Sequence, residues 1–66
     1  MNTIQRATDL AAERNISIYG LAKLSEVSYS TLRTATIRNA DLTIDVIKRV
    51  CQALDISVAE FFSVFK

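Results

Sequence analysis

The sequence contains no histidine, proline or tryptophan, and only one glycine and one cysteine. Without histidine a common zinc site cannot be assembled, and no imidazole is on hand to activate a nucleophile. The single cysteine, Cys51, forms no internal disulfide and reads as a small, half-buried apolar residue one position beyond an inward valine. Near-absence of glycine and proline excludes a β-rich domain, whose turns need them. No apolar run approaches the roughly eighteen residues of a membrane-crossing helix. No secretory leader is expected, because Arg6, Asp9, Glu13 and Arg14 interrupt the first twenty residues. These absences predict a soluble, cytoplasmic protein. There is also no glycine-rich phosphate loop and no carboxylate pair in a recognisable pocket, so an enzyme is not expected, nor a metal or cofactor.

What is present is a 66-residue chain that is 50% hydrophobic, too apolar for disorder. A chain of this length buries only about 60% of its unfolded surface, enough for one core; residues 1–66 are read as one domain. Net charge is only +1, which by itself argues for no polyanionic partner. Its distribution says more. Charges balance over residues 1–22, and the last segment, 39–66, has one acid in excess. Residues 23–38 hold Lys23, Arg33 and Arg38 against Glu26 alone.

Apolar spacing of three and four predicts helices throughout. Ile4, Ala7, Leu10 and Ala11 form the first stripe, with Asn2 as its cap and Gln5 reaching back in a capping box. That helix should end near Asn15, a residue that tolerates left-handed backbone. Ser17 caps a second helix with Leu21, Ala22 and Leu24 inward. Ser28 caps a third, to about Ile37, which buries Leu32, Ala35 and Ile37. A fourth begins at Thr43 and carries Ile47, Val50 and Leu54, with Asp45 in its first turn favouring the helix dipole. Ser57-Val58-Ala59-Glu60 opens the fifth as a capping box. The fold expected is all-α, five helices in one compact domain.

The stretch from Ser17 to Leu32 is the most specific. Two short helices joined by about three residues can cross steeply only where their contact is thin, and Ala22 supplies the thinness. Val27 plugs the corner, while Leu32 and Ala35 anchor the third helix from within. Ser28, Tyr29, Ser30, Arg33 and Thr34 are left together on its outer face. Hydroxyl and guanidinium groups of this kind hydrogen-bond base edges and phosphate oxygens.

Leu21-Ala22, Val27-Ser28 and Ser30-Thr31-Leu32 make the chain resemble the phage-repressor, or Cro/XRE-type, helix-turn-helix family. Thr43-Ile44-Asp45, Ile47-Lys48, Cys51, Ala53-Leu54, Ile56-Ser57 and Glu60-Phe61-Phe62 extend the resemblance over nearly the whole chain. It implies a lambda-repressor-like, sequence-specific DNA-binding domain, usually a transcriptional regulator and often a dimer. The motif spans about 17–37. The residues expected to meet DNA are Ser17, Lys23, Ser28, Tyr29, Ser30, Arg33, Thr34, Arg38 and Asn39. Arg33 could take guanine in a bidentate contact, Tyr29 a thymine methyl or a phosphate, and Arg38 and Asn39 phosphate. The chain also departs from the family. Asn15, Glu26 and Asp55 stand where the family usually has glycine, and Glu26 would bear a steric cost of about 1–2 kcal/mol in left-handed backbone. Ile18 replaces a phosphate-holding glutamine, and Asp41-Leu42 replaces Asn-Pro, adding an acid near the DNA backbone.

At the C-terminal end, Phe61, Phe62, Val64 and Phe65 are more apolar surface than one helix face can hide in so small a core. Exposed patches of this kind mark contacts, so a homodimer through this cluster is expected, with full intramolecular burial as the alternative. The leading functional reading is a repressor that docks its third helix (about 28–37) in the major groove of double-stranded DNA. A two-fold dimer would address a pseudo-palindromic operator with half-sites roughly 34–36 Å apart. The competing reading is a protein-interaction module, antitoxin-like or an anti-repressor partner, that keeps the fold without DNA. Near-neutral charge, Ile18 and Asp41 favour the second; Arg33 and Arg38 favour the first.

Overall fold

A computed structural model describes residues 2–64. The helices are α1 (Thr3–Glu13), α2 (Ile18–Ser25), α3 (Tyr29–Arg38), α4 (Ile44–Leu54) and α5 (Val58–Phe62). Every one starts on a short oxygen-bearing side chain that accepts a backbone N–H three residues on: Asn2, Ser17, Ser28, Thr43 and Ser57. Such caps satisfy donors that no helix can satisfy internally. The capping box expected at α1 is only half made, because the Gln5 amide donates forward to Asp9 at 2.8 Å.

The first four helices close alike. Asn15, Glu26, Asn39 and Asp55 are left-handed, with φ between 52° and 58°. The N–H of the next residue returns to a carbonyl five positions back: Ile16 to Ala11, Val27 to Ala22, Ala40 to Ala35 and Ile56 to Cys51. This is the Schellman closure. Ile16, Val27 and Ile56 then fold onto the core, so one local event both ends a helix and fixes the corner. Gly20, the sole glycine, has ordinary backbone. A Cβ there would lie 3.3 Å from Ile16 Cγ2, so its smallness lets Ile16 close over the start of α2.

Helix α4 lies at the centre, packed against α1, α2 and α5, while α2 also packs on α3. Phe61, Leu21, Leu32, Ile47 and Val50 are the largest fully buried side chains. Three expected facings are corrected. Leu24 is 56% exposed; Ser25 takes the inward place one turn after Leu21 and satisfies its hydroxyl on the Leu21 carbonyl at 2.6 Å. Ile37 is 70% exposed, because two residues beyond Ala35 a helix has turned its side chain away from the core. Cys51 is fully buried rather than half-buried, and burial, with the Glu60 carboxylate adding to it, pushes its thiol pKa up.

Two long-range ties complete the fold. Arg6 Nε and Nη2 donate to the carbonyls of Phe61 (2.7 Å) and Glu60 (2.9 Å), fastening the short α5 to α1. Asp41 accepts from the Thr3 backbone N–H (3.0 Å) and hydroxyl (3.1 Å), and the Thr3 Oγ1 accepts from Leu42 N–H. The Asp41 carboxylate is thereby committed to the start of α1. The Thr3 N–H holds its pKa below the usual carboxylate range, outweighing the partial desolvation that would raise it.

Candidate nucleic-acid interface

Helix α3 has two unlike sides. Leu32 is fully buried and Ala35 nearly so, which pins the helix from beneath. Ala22 on α2 is 4% exposed; Val27, half-buried in the turn, packs against the same core. Tyr29, Ser30, Arg33 and Thr34 all stand exposed on the other side. Helical spacing sets Tyr29 above Arg33 and Ser30 above Thr34, one turn apart. Ile37 continues the Tyr29–Arg33 row outward.

Arg33, Thr34 and Arg38 have no side-chain partner among the described residues, so their donors are available to a ligand. Ser28 is different. Its hydroxyl accepts from Thr31 N–H at 3.2 Å and lies 2.6 Å from Thr31 Oγ1 and 3.3 Å from Ser30 Oγ. Its first task is therefore to cap α3. Ser17 likewise caps α2, accepting from Gly20 N–H at 3.1 Å. Asn39, at the far end of α3, accepts from the Asn2 amide at 2.6 Å. It is exposed but oriented by α1.

Tyr19, absent from the residues expected to meet DNA, lies beside them. Its ring meets Tyr29 edge to face at 5.7 Å between centroids. Lys23 Nζ sits 5.3 Å from the same ring. Lys23 and Tyr29 are thus brought together through a residue that carries no periodic signal. What could have disclosed it is the Tyr-x-x-x-Lys spacing, which puts both side chains on one face of α2.

The four residues expected at a dimer contact separate. Phe61 is fully buried, since α5 turns it into the space beside α4, and so it is core and not contact surface. Phe62 is half-buried against the Phe61 ring, centroids 5.1 Å apart. Val64 is 60% exposed. Phe65 lies outside the described residues.

No helix among the described residues is long and apolar enough to cross a membrane. No curated protein and no solved structure matches the chain. A family model does, that of the Cro/C1-type helix-turn-helix DNA-binding domain, over residues 8–66. That span takes in all of α2 to α5 and most of α1, including the exposed row on α3 and the buried residues that present it. The chain belongs to the Cro/C1-type helix-turn-helix DNA-binding domain family.

Proposed function

We propose that this protein is a sequence-specific, double-stranded-DNA-binding transcriptional regulator, a repressor that occupies its operator by laying α3 in the major groove. The observation that carries the reading is the exposed, unpartnered Arg33 and Thr34 on a helix whose opposite side is locked down by Leu32 and Ala35. In this reading Arg33 takes a guanine edge, a contact worth about 1–3 kcal/mol of discrimination. Tyr29, Ser30 and Thr34 meet neighbouring base edges. Ile37 is apolar and exposed on the same row, and suits a thymine methyl. Arg38 and Asn39 reach phosphate where the helix leaves the groove, and Ser17 with Lys23 does so from α2.

The protein works as a two-fold dimer joined through the C-terminal end, where Val64, Val58 and half-buried Phe62 leave apolar surface open. Two copies of α3 then address half-sites one helical turn apart, roughly 34–36 Å.

Selection of bound duplexes from a random pool tests specificity and symmetry together, and a palindromic winner is expected. Arg33→Ala should relax the preference at one position of each half-site and lower affinity for the selected duplex by about 5–100-fold. Absence of duplex binding by the wild type even at low salt would instead support a protein-interaction module on the same fold.

A further inference from the structure

We infer that Asn2, at the start of α1, is a positioning residue for DNA binding: it turns the Asn39 amide so that its donors face a phosphate. This rests on the function proposed above, which gives Asn39 a phosphate contact, and adds to it what aims that side chain.

An asparagine side chain has one accepting end and one donating end. Only the donating end, Nδ2, serves a phosphate oxygen, which accepts. Asn39 is exposed, and an unconstrained amide there would present either end. Two hydrogen bonds remove the choice. Asn2 Oδ1 accepts the Gln5 backbone N–H at 3.0 Å as the cap of α1. A backbone N–H only donates, so the Asn2 oxygen is held toward α1 and its Nδ2 is turned away. That Nδ2 donates to Asn39 Oδ1 at 2.6 Å. The accepting end of Asn39 is thereby taken. Its Nδ2, without a partner among the described residues, is left to solvent where α3 ends.

A buried neighbour keeps the two amides opposite each other. Thr3, next to Asn2, is 2% exposed. Its N–H and hydroxyl donate to Asp41 Oδ1 at 3.0 and 3.1 Å, and its Oγ1 accepts from Leu42 N–H at 2.6 Å. The chain that follows Asn2 is thus tied to the chain that follows Asn39. Amides linked head to tail polarise one another, and a side chain already aimed loses less freedom on binding than a free one. The gain is in affinity and not in sequence preference, because a phosphate carries no sequence information.

Asn2→Ser and Asn2→Asp test this, since serine and aspartate cap a helix about as well as asparagine. Both variants should therefore melt close to the wild-type temperature. Asn2→Ser keeps the cap and removes the amide that holds Asn39. It should weaken binding to the selected duplex and to bulk duplex by the same factor, about 3–10-fold, with the ranking of sequences unchanged. It removes no charge, so the slope of log K against log salt should stay that of the wild type. Asn2→Asp puts an acceptor opposite Asn39, which draws the Asn39 donors away from DNA, and should lose more. Asn39→Gly keeps the left-handed helix end and removes the amide. In that background Asn2→Ser should cost nothing further, the non-additivity expected of two residues that act as a unit. A merely structural role would lower the melting temperature and carry the same affinity loss into the Asn39→Gly background. Either that result or wild-type affinity in both Asn2 variants would overturn the positioning role. If Asn39→Gly binds as the wild type does while Arg33→Ala does not, the positioning role alone fails. If the wild type binds no duplex, the functional reading fails and the positioning role with it.

Discussion

Left-handed backbone at a helix end is cheap for asparagine and aspartate, whose short side chains make local hydrogen bonds, and costly for longer ones. Glu26, at φ 58° and ψ 29°, is the costly member of the four. Glycine there removes a strain of about 1–2 kcal/mol and gives back about 0.5–1 kcal/mol in unfolded-chain freedom. Glu26→Gly should therefore raise the melting temperature by a few degrees, on the scale of roughly 4–8 °C per kcal/mol for so small a domain. Asn39→Gly should not, since Asn39 tolerates the conformation and also holds the Asn2 amide. Thermal denaturation followed by circular dichroism compares the two. Asp41 gives a pH-dependent counterpart. Its pKa is lower in the folded protein, so its contribution is complete above the unfolded value of about 3.9 and is lost as pH falls through the lower folded value. The stability gap between wild type and Asp41→Asn should be widest at neutral pH and close below about pH 4. A gap constant from pH 7 to pH 2 would contradict the assignment. At this scale the helix starts are legible in sequence, because capping needs only one residue and its neighbours. Asn15 follows from residue type as well. Glu26 and Asp55 are marked only by the places where the resembled family has glycine. Asn39 reads in sequence only as a phosphate contact, because the apolar spacing ends its helix at about Ile37 while the helix runs on to Arg38 and closes on Asn39.

Helix α3 is a weak helix by composition, with Thr31, Thr34 and Thr36 in ten residues. It is kept by its surroundings: the Ser28 cap, the return from Ala40 to Ala35, and the burial of Leu32 and Ala35. Its two sides should respond separately to mutation. Leu32→Ala empties a fully buried site and should cost about 2–5 kcal/mol. A domain of this size has little more than that to lose, so urea titration should find the variant largely unfolded without denaturant. Arg33→Ala, on the exposed side, should stay within about 0.5 kcal/mol of the wild type while losing duplex affinity. Which side each residue occupies was only partly readable. Spacing correctly placed Leu32, Ala35, Leu21 and Ala22 inward. It fails for Leu24 and Ile37, which only their apolar type points inward: Ser25 occupies the inward position on α2, and Ile37 is left exposed among the described residues. Where apolar residues outnumber inward places, spacing alone does not choose among them.

The whole molecule is held by contacts that join distant parts of the chain, and these were invisible in sequence. Arg6 reaches carbonyls 54 and 55 residues away, and Thr3 meets Asp41 across 38. Neither pairing leaves a local pattern, since a backbone carbonyl as acceptor puts no constraint on residue type. Yet they decide how the charge of the molecule is spent. Arg6 is engaged by α5, Arg14 donates to the Leu10 carbonyl, and Arg49 faces Asp45 at 3.8 Å. Lys48 shares its groove with Glu26 and Asp45. Among the described residues, the cations left to the proposed DNA face are Lys23, Arg33 and Arg38. Each phosphate neutralised contributes about 0.9 to the salt slope, so three per protomer give a slope of log K against log salt near −3, and a dimer near −5. This is a shallow dependence for a repressor, and it should be seen with bulk and selected duplex alike, because the phosphate contacts are common to both. Fluorescence anisotropy between about 50 and 200 mM salt measures it directly. A slope near −10 would mean that cations now tied within the fold turn to the DNA, which would require the Arg6 clamp or the Asp45–Arg49 pair to open on binding. Arg6→Met separates these cases: it should leave a slope of −5 unchanged while lowering the melting temperature, because its guanidinium serves α5 and not the duplex.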